Sequence, residues 1–143
     1  MARTDDEARR AWQLLIRFFF RQRGHLPSWG EPFGLSPVQC HVLHLIEPGD
    51  PMPMSRLAKA LSCDASNVTG LVDRLETRGL VERRPAAGDR RVKVLGLTAT
   101  GSRLRGELLR NMAGRAHPLA RLTAQDRQAL VRILERLLDD ADE

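Results

Sequence analysis

Apolar residues recur at helical spacing along most of this 143-residue chain and alternate in one short stretch only. Ala8, Ala11, Trp12, Leu15, Ile16 and Phe19 mark one helix face, and Leu14, Phe18 and Phe20 widen it. A helix apolar over that much of its girth is expected to be buried on more than one side. Thr4, followed by three acids, supplies an N-cap and first-turn charge, and Gly24 ends the helix. Residues 24–34 read as a Pro/Gly-rich loop holding Trp29. Ser36 and Pro37 open a second helix that stops at Pro48-Gly49. A short helix is expected over 54–61, then a tight turn, then a longer helix over 65–79 with Val68, Leu71, Val72 and Leu75 inward. Residues 80–84 and 91–97 read as strands joined by a turn over 85–90. Thr98 starts an Arg-rich helix reaching about residue 116. Thr123 caps a last one, with Leu130, Ile133, Leu134, Leu137 and Leu138 on one side.

Helix, three-residue turn, helix and charged hairpin, in that order, make a winged helix-turn-helix. The fold class is therefore mainly α: six helices with a small antiparallel β wing. The second helix of such a pair can enter the major groove of double-stranded DNA while the first braces it across the backbone. The exposed face of 65–79 offers Ser66, Asn67, Thr69, Gly70, Asp73 and Arg74. Hydroxyls and amides suit base edges or phosphates, and Gly70 allows close approach. The hairpin can carry Arg90 or Arg91 into the neighbouring minor groove, where negative potential is concentrated. Arg84, Asp89 and Lys93 complete the wing set.

Charge sharpens this picture. The formal net charge is +5, and Lys59 and Lys93 are the only lysines among 23 basic side chains. Residues 1–53 are neutral in sum, 54–97 carry +4, 98–136 carry +5, and the tail from 137 carries −4. Arginine presents a planar fork suited to phosphate and guanine edges, so an anionic partner for the middle segment is expected.

The stretch "LSPVQCHVLHLI…SRLAKALSCDASNVTGLVDRLETRGLVERRPAAGDRRVKVLGLTATG" resembles the MarR family of bacterial transcription regulators. The family pattern Asp-x-Arg-x5-Leu-Thr-x-x-Gly falls on Asp89, Arg91, Leu97, Thr98 and Gly101. The resemblance implies an obligate homodimer built from the first and last two helices, a ligand cleft between dimerisation and DNA-binding parts, and an Asp–Arg pair tying recognition helix to wing. That pair would be Asp73 with Arg91. Many members carry arginine where this chain has Gly70. The expected division is 35–97 for DNA binding, with 1–34 and 98–143 for dimerisation. The expected function is a sequence-specific regulator, a repressor in the usual case, acting at a pseudo-palindromic operator and released by a small-molecule effector.

Catalysis is not expected, because no carboxylate cluster, Gly-rich phosphate loop or nucleophile motif accompanies His41, His44 and Cys40. Trp12, Phe19, Trp29, His41 and His44 are the candidate walls of an effector cleft. A metal site at the histidines is the less favoured reading, and no cofactor is expected. Cys63, before the recognition helix, and Cys40 are the candidates for a thiol-redox sensor. A winged helix serving protein interaction is a further alternative. The acidic start and the short run "LLIRFFF", broken by Arg17, fit neither a signal peptide nor a membrane span, so a cytoplasmic location is expected.

Overall fold

Ser36 starts the helix Pro37–Leu45 with a reciprocal capping box: its hydroxyl accepts from the Gln39 amide, and the Gln39 side chain accepts from the Ser36 amide. Two orphan donors of the first turn are thereby satisfied. The computed structural model describes residues 2–25, 27–62, 65–114 and 118–139. Among them, six helices have eight residues or more: α1 (Ala2–Gln22), α2 (Pro37–Leu45), α3 (Met54–Leu61), α4 (Ala65–Thr77), α5 (Ala99–Gly114) and α6 (Ala124–Asp139). Three strands, β1 (Met52–Pro53), β2 (Val81–Ala86) and β3 (Asp89–Leu97), form an antiparallel sheet in the order β1-β3-β2. The fold is a winged helix-turn-helix, mainly helical with a small sheet.

The chain divides into two compact units, Met1–Leu109 and Arg110–Glu143. In the first, the buried apolar side chains run from Leu35 to Leu108 and join α2, α3, α4, the sheet and α5. Val68, Val72 and Leu75 of α4 face inward as expected, with Leu71 half-buried. Gly79 ends α4 with a left-handed backbone, φ 69°, which a residue without Cβ adopts at no steric cost. Arg105 of α5 is only 12 % exposed. Its guanidinium donates to the Leu43 and His44 carbonyls and to the Glu47 carboxylate, which caps the C-terminal end of α2.

Three expectations change. The expected loop over 24–34 contains 3₁₀ turns at Arg23–His25 and Glu31–Phe33 and a single helical turn at Pro27–Gly30. A third strand, β1, was not read from the sequence. It is two residues long and contains Pro53, which fits a sheet edge where no ladder donor is needed. The apolar girth of α1 is not buried on more than one side: within the single chain Trp12 is 62 % exposed, and Leu14 to Ile16 and Phe18 to Phe20 are exposed as well. In the second unit, Val131, Ile133, Leu134, Leu137 and Leu138 of α6 are also exposed. Among the described residues, each of these faces stands exposed within its own unit.

Candidate nucleic-acid interface

The alternation of buried and exposed positions on α4 leaves one polar face. Ser66, Asn67, Thr69, Asp73 and Arg74 are exposed on it, and Gly70 has open space where a Cβ would stand. The hairpin that follows is tighter than the expected six-residue turn. Ala86 pairs with Asp89, leaving a two-residue connection, Ala87-Gly88, with Gly88 at φ 94°. Such loops need a positive φ to match the strand twist.

Next to that turn the register slips. Pro85 pairs with Lys93 while Ala86 pairs with Asp89, so Arg90, Arg91 and Val92 have no counterpart on β2. A bulge of this kind bends the strand and re-aims its side chains. The Asp89 carboxylate accepts from the Arg91 amide at 3.0 Å and closes the bend. Arg90, Arg91 and Lys93 are exposed, and among the described residues their side chains have no ion-pair partner. The wing thus presents cations at its tip rather than spending them within the fold.

The expected pair of Asp73 with Arg91 is not formed. Asp73 is held by Arg83, whose Nη2 lies 2.5 Å from Asp73 Oδ1. The reason is the period of the strand. Arg83 stands opposite Leu95 near the root of the wing and turns toward α4, whereas Arg91 lies in the bulged tip. Arg83 also donates to the Thr69 carbonyl, lies 3.5 Å from Glu76 Oε1, and offers its backbone amide to Glu76 Oε2. Arg84, one residue on, takes the other face of the sheet. It lies 3.6 Å from Glu82 and over Gly96, where any Cβ would meet its guanidinium at 2.6 Å.

The Leu-Thr-x-x-Gly end of the motif joins wing to helix. Thr98 donates through Oγ1 to the Gly79 carbonyl and through its amide to the Leu80 carbonyl, while its hydroxyl accepts from the Gly101 amide. A Cβ on Gly101 would sit inside the Leu80 carbonyl, so the start of α5 can approach α4's end only with glycine there. Arg78, missed from the sequence, donates to the Phe33 and Gly34 carbonyls and fixes the connection that leads into α2.

The cleft candidates scatter over different environments. Trp12 and Phe19 are exposed on α1, with Phe19 edge-on to Phe20 at 5.7 Å. Trp29 is half-buried in the one-turn helix. His41 and His44 share an exposed face of α2. Partial burial, then the charge of His44, push the His41 imidazole below the usual histidine value. No group of three or more His, Cys, Asp or Glu able to hold a metal occurs among the described residues. Cys40 is buried against Gly30, and burial pushes its thiol up, which disfavours the reactive thiolate. Cys63 lies outside the described residues.

Similarity to known proteins follows this geometry. The MarR family model matches residues 35–93, covering α2 to most of the wing. The HTH-type transcriptional regulator YfiV of Bacillus subtilis is 30% identical over 140 residues, 94% of this chain and 87% of its own. The HTH-type transcriptional repressor NicR of Pseudomonas putida is 29% identical over 114 residues, 73% of this chain and 67% of its own. The crystal structure of AbsC, a MarR family transcriptional regulator from Streptomyces coelicolor, matches with a TM-score of 0.73 at 26% identity, over 92% of each chain. A DNA-binding winged helix on a helical frame defines the class, a transcription regulator and not an enzyme. Within that class, the chain belongs to the MarR family. No described helix is long and apolar enough to cross a membrane.

Proposed function

We propose that this regulator represses transcription as a cytoplasmic homodimer, bound to a pseudo-palindromic operator and released by a small-molecule effector. The observation that carries the reading is the pairing of two kinds of surface: a polar helix face beside an arginine-tipped wing, and bare apolar faces on α1 and α6. The first suits DNA. The second demands cover, because contiguous exposed apolar area of this extent marks an interface. A second copy supplies it with two-fold symmetry, and that symmetry matches an inverted-repeat site. In this reading residues 35–97 bind DNA, and 1–34 with 98–143 dimerise.

Ser66, Asn67, Thr69, Gly70 and Arg74 meet the major groove, and Arg90, Arg91 and Lys93 meet the backbone and minor groove. The effector enters between the two functions, and Trp12, Phe19, Trp29, His41 and His44 are the side chains that support a cleft there. The name of NicR, a repressor, supports the sign of regulation assigned here.

Sedimentation of the free protein together with hydroxyl-radical footprinting of the DNA flanking its own gene tests this. The expected result is a particle of twice the chain mass that protects two half-sites about 34 Å apart. A monomer that saturates a single half-site overturns it.

A further inference from the structure

Asp73 and Glu76 pose an electrostatic problem. They are the two acids of α4, three residues apart and so on one face, and both are partly exposed next to the surface assigned to a polyanion. Left alone, each carboxylate would oppose the phosphates. Neither is alone. One guanidinium from the adjoining strand spans them, with Arg83 Nη2 at 2.5 Å from Asp73 and Nη1 at 3.5 Å from Glu76. The Arg83 amide takes the other Glu76 oxygen at 3.0 Å, and Nη2 also reaches the Thr69 carbonyl at 3.2 Å. With all these partners Arg83 is only 26 % exposed, unlike the exposed Arg90, Arg91 and Lys93.

We propose that Arg83 is a charge-shielding positioning residue of the DNA-binding surface: it offsets one of the two negative charges of Asp73 and Glu76 as the duplex approaches and does not itself contact a phosphate. The proposal rests on the DNA-binding reading above. A cation flanked by two acids presents no net positive charge outward, and its Nη2 already serves Asp73 and the Thr69 carbonyl. Its effect on affinity is therefore exerted through the carboxylates it covers. This separates two groups of arginines that look alike in sequence. Arg90 and Arg91 at the tip add attraction, and Arg83 at the root removes repulsion.

The test is a set of variants of the full chain: Arg83→Gln, the pair Asp73→Asn with Glu76→Gln, the triple combination, and Arg83→Lys. Each is titrated against a fluorescein-labelled duplex from the DNA flanking its own gene, by anisotropy at about 50 and 200 mM salt. Arg83→Gln is expected to weaken binding about tenfold at the lower salt and clearly less at the higher, because repulsion between exposed charges is screened. The triple variant, which carries one negative charge fewer than wild type at this cluster, and the carboxylate pair variant are each expected to bind at least as tightly as wild type. Arg83→Lys, which keeps the charge without the fork, is expected to keep most of the affinity.

A purely structural clamp gives a different pattern: the carboxylate pair variant weakens, the triple is no better than Arg83→Gln, and the penalty ignores salt. A direct phosphate contact leaves Arg83→Gln just as costly in the amide background. Either pattern overturns the proposal. If Arg83→Gln does not fold, the carboxylate pair variant decides by itself, since shielding and clamping predict opposite changes. Absence of salt-dependent binding by the wild-type chain overturns the DNA reading, and this proposal with it.

Discussion

Replacing Gly101 with alanine tests how the wing is anchored. The added Cβ would stand 1.8 Å from the Leu80 carbonyl oxygen and 2.8 Å from its carbon. Both are backbone atoms at the junction of α4 and β2, so no side-chain rotation relieves the clash. The start of α5 must retreat by well over an ångström. Forced overpacking of this type costs about 1–3 kcal/mol. The retreat also stretches the bonds from Thr98 to the Gly79 and Leu80 carbonyls, 2.6 and 3.1 Å long, each contributing about 0.5–1.5 kcal/mol. Alanine returns about 1 kcal/mol of helix propensity. The net loss is about 1–5 kcal/mol, which for a domain of this size lowers the melting temperature by roughly 3–20 °C. Thermal denaturation followed by circular dichroism at fixed protein concentration reads it. A Gly101→Ala variant melting within about 2 °C of wild type would refute the reasoning, and with it the claim that glycine is required by close approach here.

Gly70 is the control for that argument. It lies in α4 with open space around the missing Cβ, so Gly70→Ala is expected to raise stability by up to about 1 kcal/mol while lowering operator affinity, because it thickens the face that approaches DNA. A stabilised variant with unchanged affinity contradicts close approach at this position. Arg105→Ala removes three hydrogen bonds from a nearly buried guanidinium, and a loss of about 2 kcal/mol is expected by urea denaturation. An unchanged midpoint contradicts its capping role. Arg90→Ala and Arg91→Ala are each expected to weaken operator binding with little change in melting temperature, since both side chains are exposed and without an ion-pair partner among the described residues. Loss of stability without loss of affinity reverses the assignment.

Local chemistry made much of the frame legible. Ser36-Pro37, Gly79 and Thr98 each mark a helix boundary through a cap or a stop whose geometry needs no tertiary knowledge, and the structure has boundaries at or within two residues of each. β1 was not legible, because two residues, one of them a proline, carry no alternation and pair only through contacts far along the chain. The partner of Asp73 was not legible either. Choosing Arg83 over Arg91 requires the strand register, and that register turns on a bulge after Pro85 that the turn-rich stretch 85–90 does not announce. Two adjacent arginines, Arg83 and Arg84, face opposite ways because side chains alternate along a strand. The exposure of α1 reflects a different limit. Its apolar girth leads to an expectation of burial on more than one side, which the single chain does not meet, because the pattern does not say whether the cover comes from the same chain.

Operator affinity measured across a salt series tests DNA binding through this surface most directly. Arg74, Arg90, Arg91 and Lys93 are exposed and without an ion-pair partner among the described residues. In a homodimer they present twice that number of cations. Each phosphate neutralised contributes about −0.9 to the slope of log affinity against log salt, so full engagement gives a slope of about −7. Replacing Arg90 and Arg91 together with alanine is expected to reduce that steepness by about half. A slope near zero for the wild-type chain, or one that the double replacement leaves unchanged, contradicts the claim that the wing reaches DNA.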